Sequence, residues 1–216
     1  MGSDHAGGPM VPTIRLSYRD VEELLAERGI EVDHVTVYQW VQRFAPEFAE
    51  AARARQHVVG DRWHVDETYL KVGGTWRYLF RAIDQFGQII DVYLSRRRNA
   101  EAARRFFERA LDRTRTSPVE VTTDRYRVYP RVLDELLPAA FHDTEVRANN
   151  PLETDHGQLK ARLRPMRGLK RDRTARVIVA GHAFIQNLRR GHYELAVEEQ
   201  MNRRLTTAFN ELALAI

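Results

Sequence analysis

Cysteine is absent from this chain of 216 residues, which rules out disulfide bonds and thiolate metal ligands. A divalent cation would therefore need oxygen or imidazole ligands, and a reducing compartment fits the composition. The sequence also has no apolar run approaching the length of a membrane-spanning helix. It shows no signal-peptide pattern, because its first residues, MGSDHAGGPMVP, are small and polar. We therefore expect a cytoplasmic globular protein.

Acidic residues are scarce in one stretch of the chain. Between positions 160 and 190 Asp172 is the single acid, and the basic residues there are Lys160, Arg162, Arg164, Arg167, Lys170, Arg171, Arg173, Arg176, Arg189 and Arg190. A second basic run is Arg96-Arg97-Arg98. Such runs are often solvated faces, but the bias to arginine and to one sign favours a polyanionic partner such as double-stranded DNA.

The N-terminal third predicts two short helices joined by a turn that contains Gly29. Ser17 and Asp33 are suited to cap these helices, and Pro46 is expected to stop the second. The pair fits either a helix-turn-helix that reads DNA or a plain helical hairpin packed on the main domain. In the first case the second helix would present four DNA-contacting residues, His34, Thr36, Gln39 and Arg43.

The middle of the chain changes from helical to strand periodicity at residue 62. Three strand-like segments, RWHVDETYLKV, TWRYLFRAIDQFG and QIIDVYLSR, are separated by glycine-containing turns and predict an antiparallel meander. Asn99 can cap the helix that follows. After it come a short strand in PVEVTTD, a helix in YPRVLDELL, a weaker strand in AAFHDTEVRA and a helix that starts at Asn150. This order predicts an α/β domain with a mixed central sheet flanked by helices.

Three acids could meet at one place in such a fold. Asp66 lies in the first strand, Asp124 ends the fourth, and Glu153 lies on the first turn of a later helix. If the first and fourth strands are neighbours, their carboxylates would share a small volume suited to Mg²⁺ or Mn²⁺. Two such ions, about 3.5–4 Å apart, would support in-line phosphoryl transfer.

Each of these acids also has a structural explanation. Asp66 could be a solvent-facing strand residue beside Glu67, and Asp124 could begin a turn. Glu153 occupies the position of a capping-box glutamate. Three further acids could replace any of them, namely Asp84, Asp91 and Asp155. His156 shares a helix face with leucines, so we expect it to be packed rather than bound to metal.

Several motifs, in order, resemble the insertion-sequence-six family of bacterial DDE transposases. They are LSYRDVEELLAERGIEVDHVTVYQWVQRFAPEF, WHVDETYLKVGGTWRYLFRAIDQFGQIIDVYLS, VTTDRYRVYP and NNPLETDHGQLKARLRPMRGLK. The resemblance implies a ribonuclease-H-like catalytic domain of the integrase type. By residue-for-residue match it implies that Asp66, Asp124 and Glu153 are the catalytic, metal-binding acids. It implies two Mg²⁺ ions, with Mn²⁺ able to substitute.

The resemblance also implies an activity and its partners. The enzyme would bind terminal inverted repeats, cut to expose 3′ hydroxyls and join them to target DNA, as a homodimer or higher assembly associated with the bacterial nucleoid. Lys160 would contact phosphate near the scissile bond. Further contacts to the DNA backbone would come from Arg162, Arg164 and Arg167, and we include Lys170 and Arg171 in the same DNA-binding set.

The expected domain boundaries follow from these assignments. Residues 1–16 would be a disordered or vector-derived N-terminus, 17–58 the helix-turn-helix segment, 59–193 the catalytic domain and 194–216 a C-terminal helix. Two other readings remain open: an inactive or domesticated sequence-specific DNA-binding protein, and a structure-selective nuclease that cuts without joining.

Overall fold

A computed structural model describes residues 16–144, 150–166 and 168–214, without the side chains of residues 150–155. Five strands form its sheet: β1 (Arg62–Val72), β2 (Thr75–Asp84), β3 (Ile89–Ser95), β4 (Glu120–Thr122) and β5 (Phe141–Asp143). The helices are α1 (Tyr18–Ala26), α2 (His34–Ala51), α3 (Ala100–Thr114), α4 (Tyr129–Leu136), α5 (Asn150–Leu163), α6 (Asp172–Arg190) and α7 (Met201–Ala213). Within these ranges no helix is long and apolar enough to cross a membrane.

The strands lie in the order β3-β2-β1-β4-β5. Strands β1, β2 and β3 form an antiparallel meander, whereas β4 is parallel to β1 and β5 is parallel to β4. Helices α3 and α4 provide the connections to these two parallel strands. The predicted mixed, ribonuclease-H-like sheet is therefore confirmed, together with the order of its elements.

The sheet separates two apolar layers, because alternate residues of a strand point to opposite faces. On one face Trp63 and Val65 of β1 pack with α3 and α4, around Phe106, Phe107 and Tyr129. The other face of the sheet packs against α5 and α6; its core includes Leu70, Val72, Leu79, Ile83, Leu159, Val179 and Ala183. Asp66 and Glu67 are adjacent in β1, so they point to opposite faces of the sheet. Asp66 faces the layer of α5 and α6, and Glu67 faces the layer of α3 and α4.

The two N-terminal helices begin as predicted. Ser17 and Asp20 form a capping box at α1, and the Asp33 carboxylate accepts a hydrogen bond from the backbone N–H of Thr36 at the start of α2. The expected stop at Pro46 was wrong, because α2 continues to Ala51 with the proline inside it. Proline removes one helical hydrogen bond. The apolar residues beyond it, which include Phe48 and Ala52, pack with α6 and α7, and this burial outweighs the loss.

The assignment of α1 and α2 as a DNA-reading helix-turn-helix stays a prediction. One face of α2 packs against α6, where the Tyr38 hydroxyl lies 3.0 Å from the Thr174 hydroxyl. Helix α6 in turn is clamped to the sheet by Asn187, whose side chain accepts from the backbone N–H of Ile89 at 2.7 Å and donates to its carbonyl at 2.8 Å. These buried bonds fix the helical layer above Asp66.

Candidate active site

The parallel pairing of β1 with β4 brings two of the predicted acids together. His64 of β1 is in register with Thr122 of β4, so Asp66 and Asp124, two residues further along, lie at the same level of the sheet. Oxygen atoms of Asp66, Glu67 and Asp124 all lie within 4.8 Å of one another. Three carboxylates so close repel unless positive charge lies between them. Hard oxygen donors in this arrangement fit a divalent cation such as Mg²⁺ or Mn²⁺.

Glu67 is the member of this cluster that sequence reasoning missed as a candidate. It points into the layer opposite to that of Asp66, and only 1% of its side chain is exposed. Its two oxygens accept hydrogen bonds from the Tyr129 hydroxyl and from Nε of Arg98. Burial raises the pKa of Glu67, while these two donors oppose the rise. Burial also raises the pKa of Tyr129 well above its ordinary value, which keeps the hydroxyl a donor.

Arg98 joins Glu67 to Asp124. Its terminal nitrogen Nη2 donates to Oδ2 of Asp124 at 2.8 Å, while Nε donates to Glu67. The guanidinium stacks on the ring of Tyr126, 4.0 Å from its centroid, and the Tyr126 hydroxyl donates to the Arg98 carbonyl at 2.8 Å. The backbone N–H of Tyr126 donates to Oδ1 of Asp124 at 2.9 Å. The carboxylate of Asp124 is therefore oriented from both sides.

Asp66 has no cation of comparable closeness among the described residues. Its Oδ1 accepts a hydrogen bond from the backbone N–H of Glu67 at 2.8 Å, and Nδ1 of His156 lies 3.9 Å from its Oδ2. Burial, together with the negative charges of Glu67 and Asp124, raises the pKa of Asp66 to about 6. A carboxylate that is costly to ionise without a cation is what a metal site presents before the metal binds.

Helix α5 covers Asp66 with the face predicted to be packed. His156 and Leu159 are buried there, which confirms that His156 is packed, although its ring also lies beside Asp66. Position 153 lies on the helical turn before His156, about 4.5 Å along the axis. The side chain of Glu153 lies outside the described residues. Its role as third metal ligand stays a prediction that the backbone position of α5 supports.

The predicted DNA-binding residues of α5 do not share one surface. Lys160 and Arg164 are exposed on the stripe that begins near position 153. Arg162 is two residues from each and lines an open cleft of about 820 Å³ between α1, α2, α5, α6 and α7, where it lowers the pKa of Arg189 in addition to the effect of burial. Arg167 lies outside the described residues. Lys170 and Arg171, just before α6, are exposed.

The four residues of α2 that are predicted to contact DNA differ in their exposure and in the contacts they make within the protein. Gln39 and Arg43 are exposed. His34 is held by Glu22 of α1, whose Oε2 lies 2.9 Å from its Nδ1, and Thr36 belongs to the N-terminal turn that Asp33 caps. The DNA-reading role of all four residues stays a prediction.

The alternative acids in the sheet, Asp84 and Asp91, make their contacts outside the carboxylate cluster. Asp84 accepts hydrogen bonds from the backbone N–H groups of Gly60, Phe86 and Gln88, so it is the turn residue that its sequence context suggested. Asp91 is buried and faces Arg109 and Arg113 of α3. The side chain of Asp155 lies outside the described residues. Among the acids whose side chains are described, Asp66, Glu67 and Asp124 form the group able to hold a cation.

Comparison with known protein families matches residues 60–192 to a DDE domain of the IS240 transposase type. The chain is 36% identical over 152 residues to the transposase for the insertion sequence-like element IS431mec of Staphylococcus aureus, a match that spans 68% of this chain and 67% of the relative. The transposase of IS257 in transposon Tn4003, also from Staphylococcus aureus, matches with the same figures.

Solved structures with a related outline are retroviral integrases. The catalytic core of HTLV-2 integrase in complex with magnesium aligns with a TM-score of 0.45 and 15% identity, over 62% of this chain and 88% of that one. The catalytic core of BIV integrase aligns with a TM-score of 0.45 and 13% identity, over 73% and 99% of the two chains.

The first prediction concerns the Arg98 bridge. Replacing Arg98→Met should lower the free energy of unfolding by about 3–5 kcal/mol, because Glu67 then stays buried without its cation. Adding Glu67→Gln should recover much of this loss, since an amide is neutral and still accepts a hydrogen bond from Tyr129. Urea unfolding of the two single variants and the double variant, in EDTA, measures the coupling.

Arg104→Met is the matched control for this cycle. Arg104 pairs with Glu135 of α4 on a surface where each side chain is 37% exposed, so its loss should change the free energy of unfolding by no more than about 1 kcal/mol. The bridge would be an incidental contact if the double variant were no more stable than Arg98→Met alone.

The second prediction concerns the ionisation of Asp66. Because its folded pKa, about 6, lies above the ordinary aspartate value of 3.8, the stabilising contribution of Asp66 is complete below about pH 4 and is lost as the pH rises through 6. Asp66→Asn never ionises. In EDTA at pH 7.5 this variant should exceed the wild type in stability by an amount on the order of 2–3 kcal/mol, and the difference should vanish near pH 4.

Asp172→Asn is a control of opposite sign. Hydrogen bonds from Arg77, and then from Arg96, lower the pKa of Asp172, so its contribution is present at neutral pH and lost in acid. Urea unfolding should therefore show Asp172→Asn destabilised at pH 7.5 and still at pH 4, with the difference disappearing only as the pH falls well below 3.8. An Asp66→Asn variant that is weaker than wild type at pH 7.5 would contradict the interpretation of Asp66.

Proposed function

Because this chain belongs to the insertion-sequence-six family of DDE transposases, we propose that it cuts DNA at the ends of a mobile element and joins the 3′ hydroxyls to target DNA. The observation that carries the proposal is the meeting of Asp66 in β1 and Asp124 just after β4, 58 positions apart in the chain (124 − 66), in one carboxylate cluster. A plain DNA-binding protein has no use for that arrangement, since three crowded carboxylates repel DNA phosphates.

The residues would divide the chemistry as follows. Asp66 and Asp124 would hold a pair of Mg²⁺ ions from the floor of the site, with Glu153 as the third ligand from α5. When bound, the metal pair would lower the pKa of the attacking water or hydroxyl and stabilise the leaving oxygen. Arg98 would keep the Asp124 carboxylate aimed at the site through its contacts with Glu67 and Tyr126.

DNA would lie along the basic surface around this cluster. Lys160 and Arg164, on the exposed stripe of α5, would contact phosphates next to the scissile bond, and Lys170 and Arg171 would extend that contact. Arg162 would act at a separate place, because it lines the cleft beside α1. Binding through phosphate contacts should weaken steeply with added salt. Exposed Gln39 and Arg43 of α2 are the positions best placed to reach base edges.

The assembly and the source of specificity belong to the same proposal. We propose that two or more copies act together on paired terminal inverted repeats, since two ends must be joined to one target. Residues 17–58 would supply end recognition, 59–193 the chemistry and 194–216 a supporting helix. Helix α7 fits the last role because Ala208 and Leu212 are buried with α6.

The third prediction tests the acids by neutral substitution. Asp66→Asn, Asp124→Asn and Glu153→Gln should each reduce cleavage and joining by about 10³-fold or more, because each removes a ligand worth several kcal/mol of transition-state stabilisation. DNA binding in EDTA should stay within a few-fold of wild type. The assay follows labelled duplex that carries the inverted repeats flanking the gene, with Mg²⁺ or Mn²⁺ added.

Asp155→Asn is the matched control, because it removes an acid two positions from Glu153 on the same helix. It should retain cleavage and joining. Mg²⁺-dependent joining that survives in all three test variants would refute the assignment of the acids. Cleavage without joining in the wild type would identify a nuclease, and binding without either reaction would identify a DNA-binding protein that does not catalyse.

A further inference from the structure

The hairpin of β1 and β2 carries exposed aromatic side chains beside the carboxylate cluster. Trp76 is 58% exposed and Tyr69 is 49% exposed, although both belong to regular strands. In the register of the sheet Tyr69 pairs with Tyr78, and Lys71 pairs with Trp76. We call these four residues, Tyr69, Lys71, Trp76 and Tyr78, the aromatic strip. Large aromatic side chains that are exposed to solvent at neighbouring positions indicate a binding surface.

The strip lies on the face of the sheet that carries Glu67, opposite to the face of Asp66, and it reaches the proposed active site through Glu67, whose carboxylate lies within 4.8 Å of those of Asp66 and Asp124. Glu67 and Tyr69 are two residues apart on β1 and therefore point to the same face, about 7 Å apart along the strand. Lys71 and Trp76 lie about 13 Å from Glu67 in the same direction. A DNA strand whose phosphate sits at Asp66 and Asp124 would reach the strip within two to four nucleotides, at about 3.4 Å per nucleotide.

The rings form a connected platform. The centroids of Tyr69 and Trp76 are 6.4 Å apart with the rings nearly perpendicular, and those of Tyr69 and Tyr78 are 5.2 Å apart. The ammonium group of Lys71 lies 5.8 Å from the centroid of Trp76. A base stacked on this platform would therefore have a positive charge next to its phosphate.

The platform is also held rigidly. At the hairpin tip the backbone N–H of Gly73 donates to the Leu169 carbonyl at 2.8 Å. A Cβ at position 73, where φ is +55°, would lie 2.9 Å from the Lys170 carbonyl oxygen, so this close approach requires glycine. The contact ties the strip to Lys170 and Arg171. The ordering cost of binding is low on a surface that is already fixed.

The charge around the strip matches nucleic acid. Lys71 is the charged residue of the hairpin, residues 68 to 83, that shares the face of the strip; Arg77 and Arg81 point to the opposite face, where Arg77 pairs with Asp172 and Arg81 is buried. Ser95 pairs with Tyr78, and the exposed Arg96, which pairs with Asp172, and the exposed Arg97 follow it directly. An aromatic surface that carries Lys71 and continues to Arg97 favours single-stranded DNA, because stacking needs open base faces that a duplex keeps inside.

We propose that the aromatic strip binds unpaired nucleotides of the DNA strand beside the reacting phosphate, with bases stacked on Trp76 and Tyr69. The inference rests on the proposed function for the nature of its ligand, DNA. It assigns to the hairpin a separate role: holding locally opened strand ends in place next to the acids. Single-strand stacking of this kind tolerates any base sequence.

The experiment measures binding in EDTA, so that no chemistry contributes. Fluorescence anisotropy follows a labelled 12-nucleotide oligothymidine strand, an abasic strand of the same length and a fully paired duplex. Trp76→Ala should weaken binding of oligothymidine by roughly 5- to 100-fold, in line with the loss of one stacked base, while Trp76→Phe should retain most of it. Binding of the abasic strand and of the duplex should not change.

Phe86→Ala is the matched control. Phe86 is 71% exposed on the turn between β2 and β3, at the end of the sheet opposite Trp76, and its loss should leave binding of all three probes unchanged. Circular dichroism of each variant reports that the fold is retained.

Three results would overturn the inference. Unchanged binding of oligothymidine by Trp76→Ala would show that the ring does not stack on bases. An equal loss on the abasic strand would show that the effect is one of charge. A DNA-free protein that sediments as a smaller species after Trp76→Ala would show that the strip contacts a second copy of the chain. Each leaves the assignment of the acids untouched, because that rests on cleavage and joining by the aspartate and glutamate variants.

Discussion

Mutual repulsion among closely spaced carboxylates is the constraint on which this structure depends. The parallel register of β1 and β4 brings Asp66 and Asp124 to one level, and alternation along β1 sends Glu67 to the other face. Arg98 neutralises part of this charge by bridging Glu67 and Asp124, whereas Asp66 is left with a raised pKa. The fold therefore balances the charge of Glu67 and Asp124 internally, and under the proposed function a bound cation would balance that of Asp66.

The same contacts explain how the carboxylates of the cluster are held in place. Burial and the hydrogen bond from the Tyr129 hydroxyl fix the position of the Glu67 carboxylate. Arg98 binds Glu67 and also donates to Asp124, so it fixes the position of the Asp124 carboxylate as well. Asp66 sits under α5, whose buried face is anchored through the second apolar layer to α6 and hence to the sheet. A site that loses free energy when empty gains affinity for the ion that restores the balance.

Much of the sheet was predictable because local signals and global topology agree. The glycine turns, the caps at Ser17, Asp33 and Asn99, and the alternation of helix with strand all specify the same architecture. The meeting of Asp66 and Asp124 was expected on the condition that the first and fourth strands are neighbours, and the family resemblance selected these two acids. The roles of Arg98 and Glu67 were not expected, since Arg98 is the last of three arginines whose run was interpreted as favouring a polyanionic partner. Only tertiary contacts show that it turns inward while Arg96 and Arg97 remain exposed.

The error at Pro46 has the same origin. Pro46 was expected to end α2, but packing against α6 and α7 carries the helix to Ala51. The DNA-binding role of the basic residues after position 160 stays a prediction. Lys160, Arg162 and Arg164 are all exposed, and Arg162 also lines the cleft beside α1. The sequence shows which residues are basic, whereas the angular position of each residue around the helix axis determines the surface on which its side chain lies.

Anomalous diffraction from crystals soaked in Mn²⁺ tests the central claim most directly. The account predicts a Mn²⁺ peak about 2.0–2.3 Å from an oxygen of both Asp66 and Asp124, with Glu153 completing its ligands from α5. It would be contradicted by crystals saturated with Mn²⁺ in which the two aspartates bind no ion, or in which the ion lies away from both.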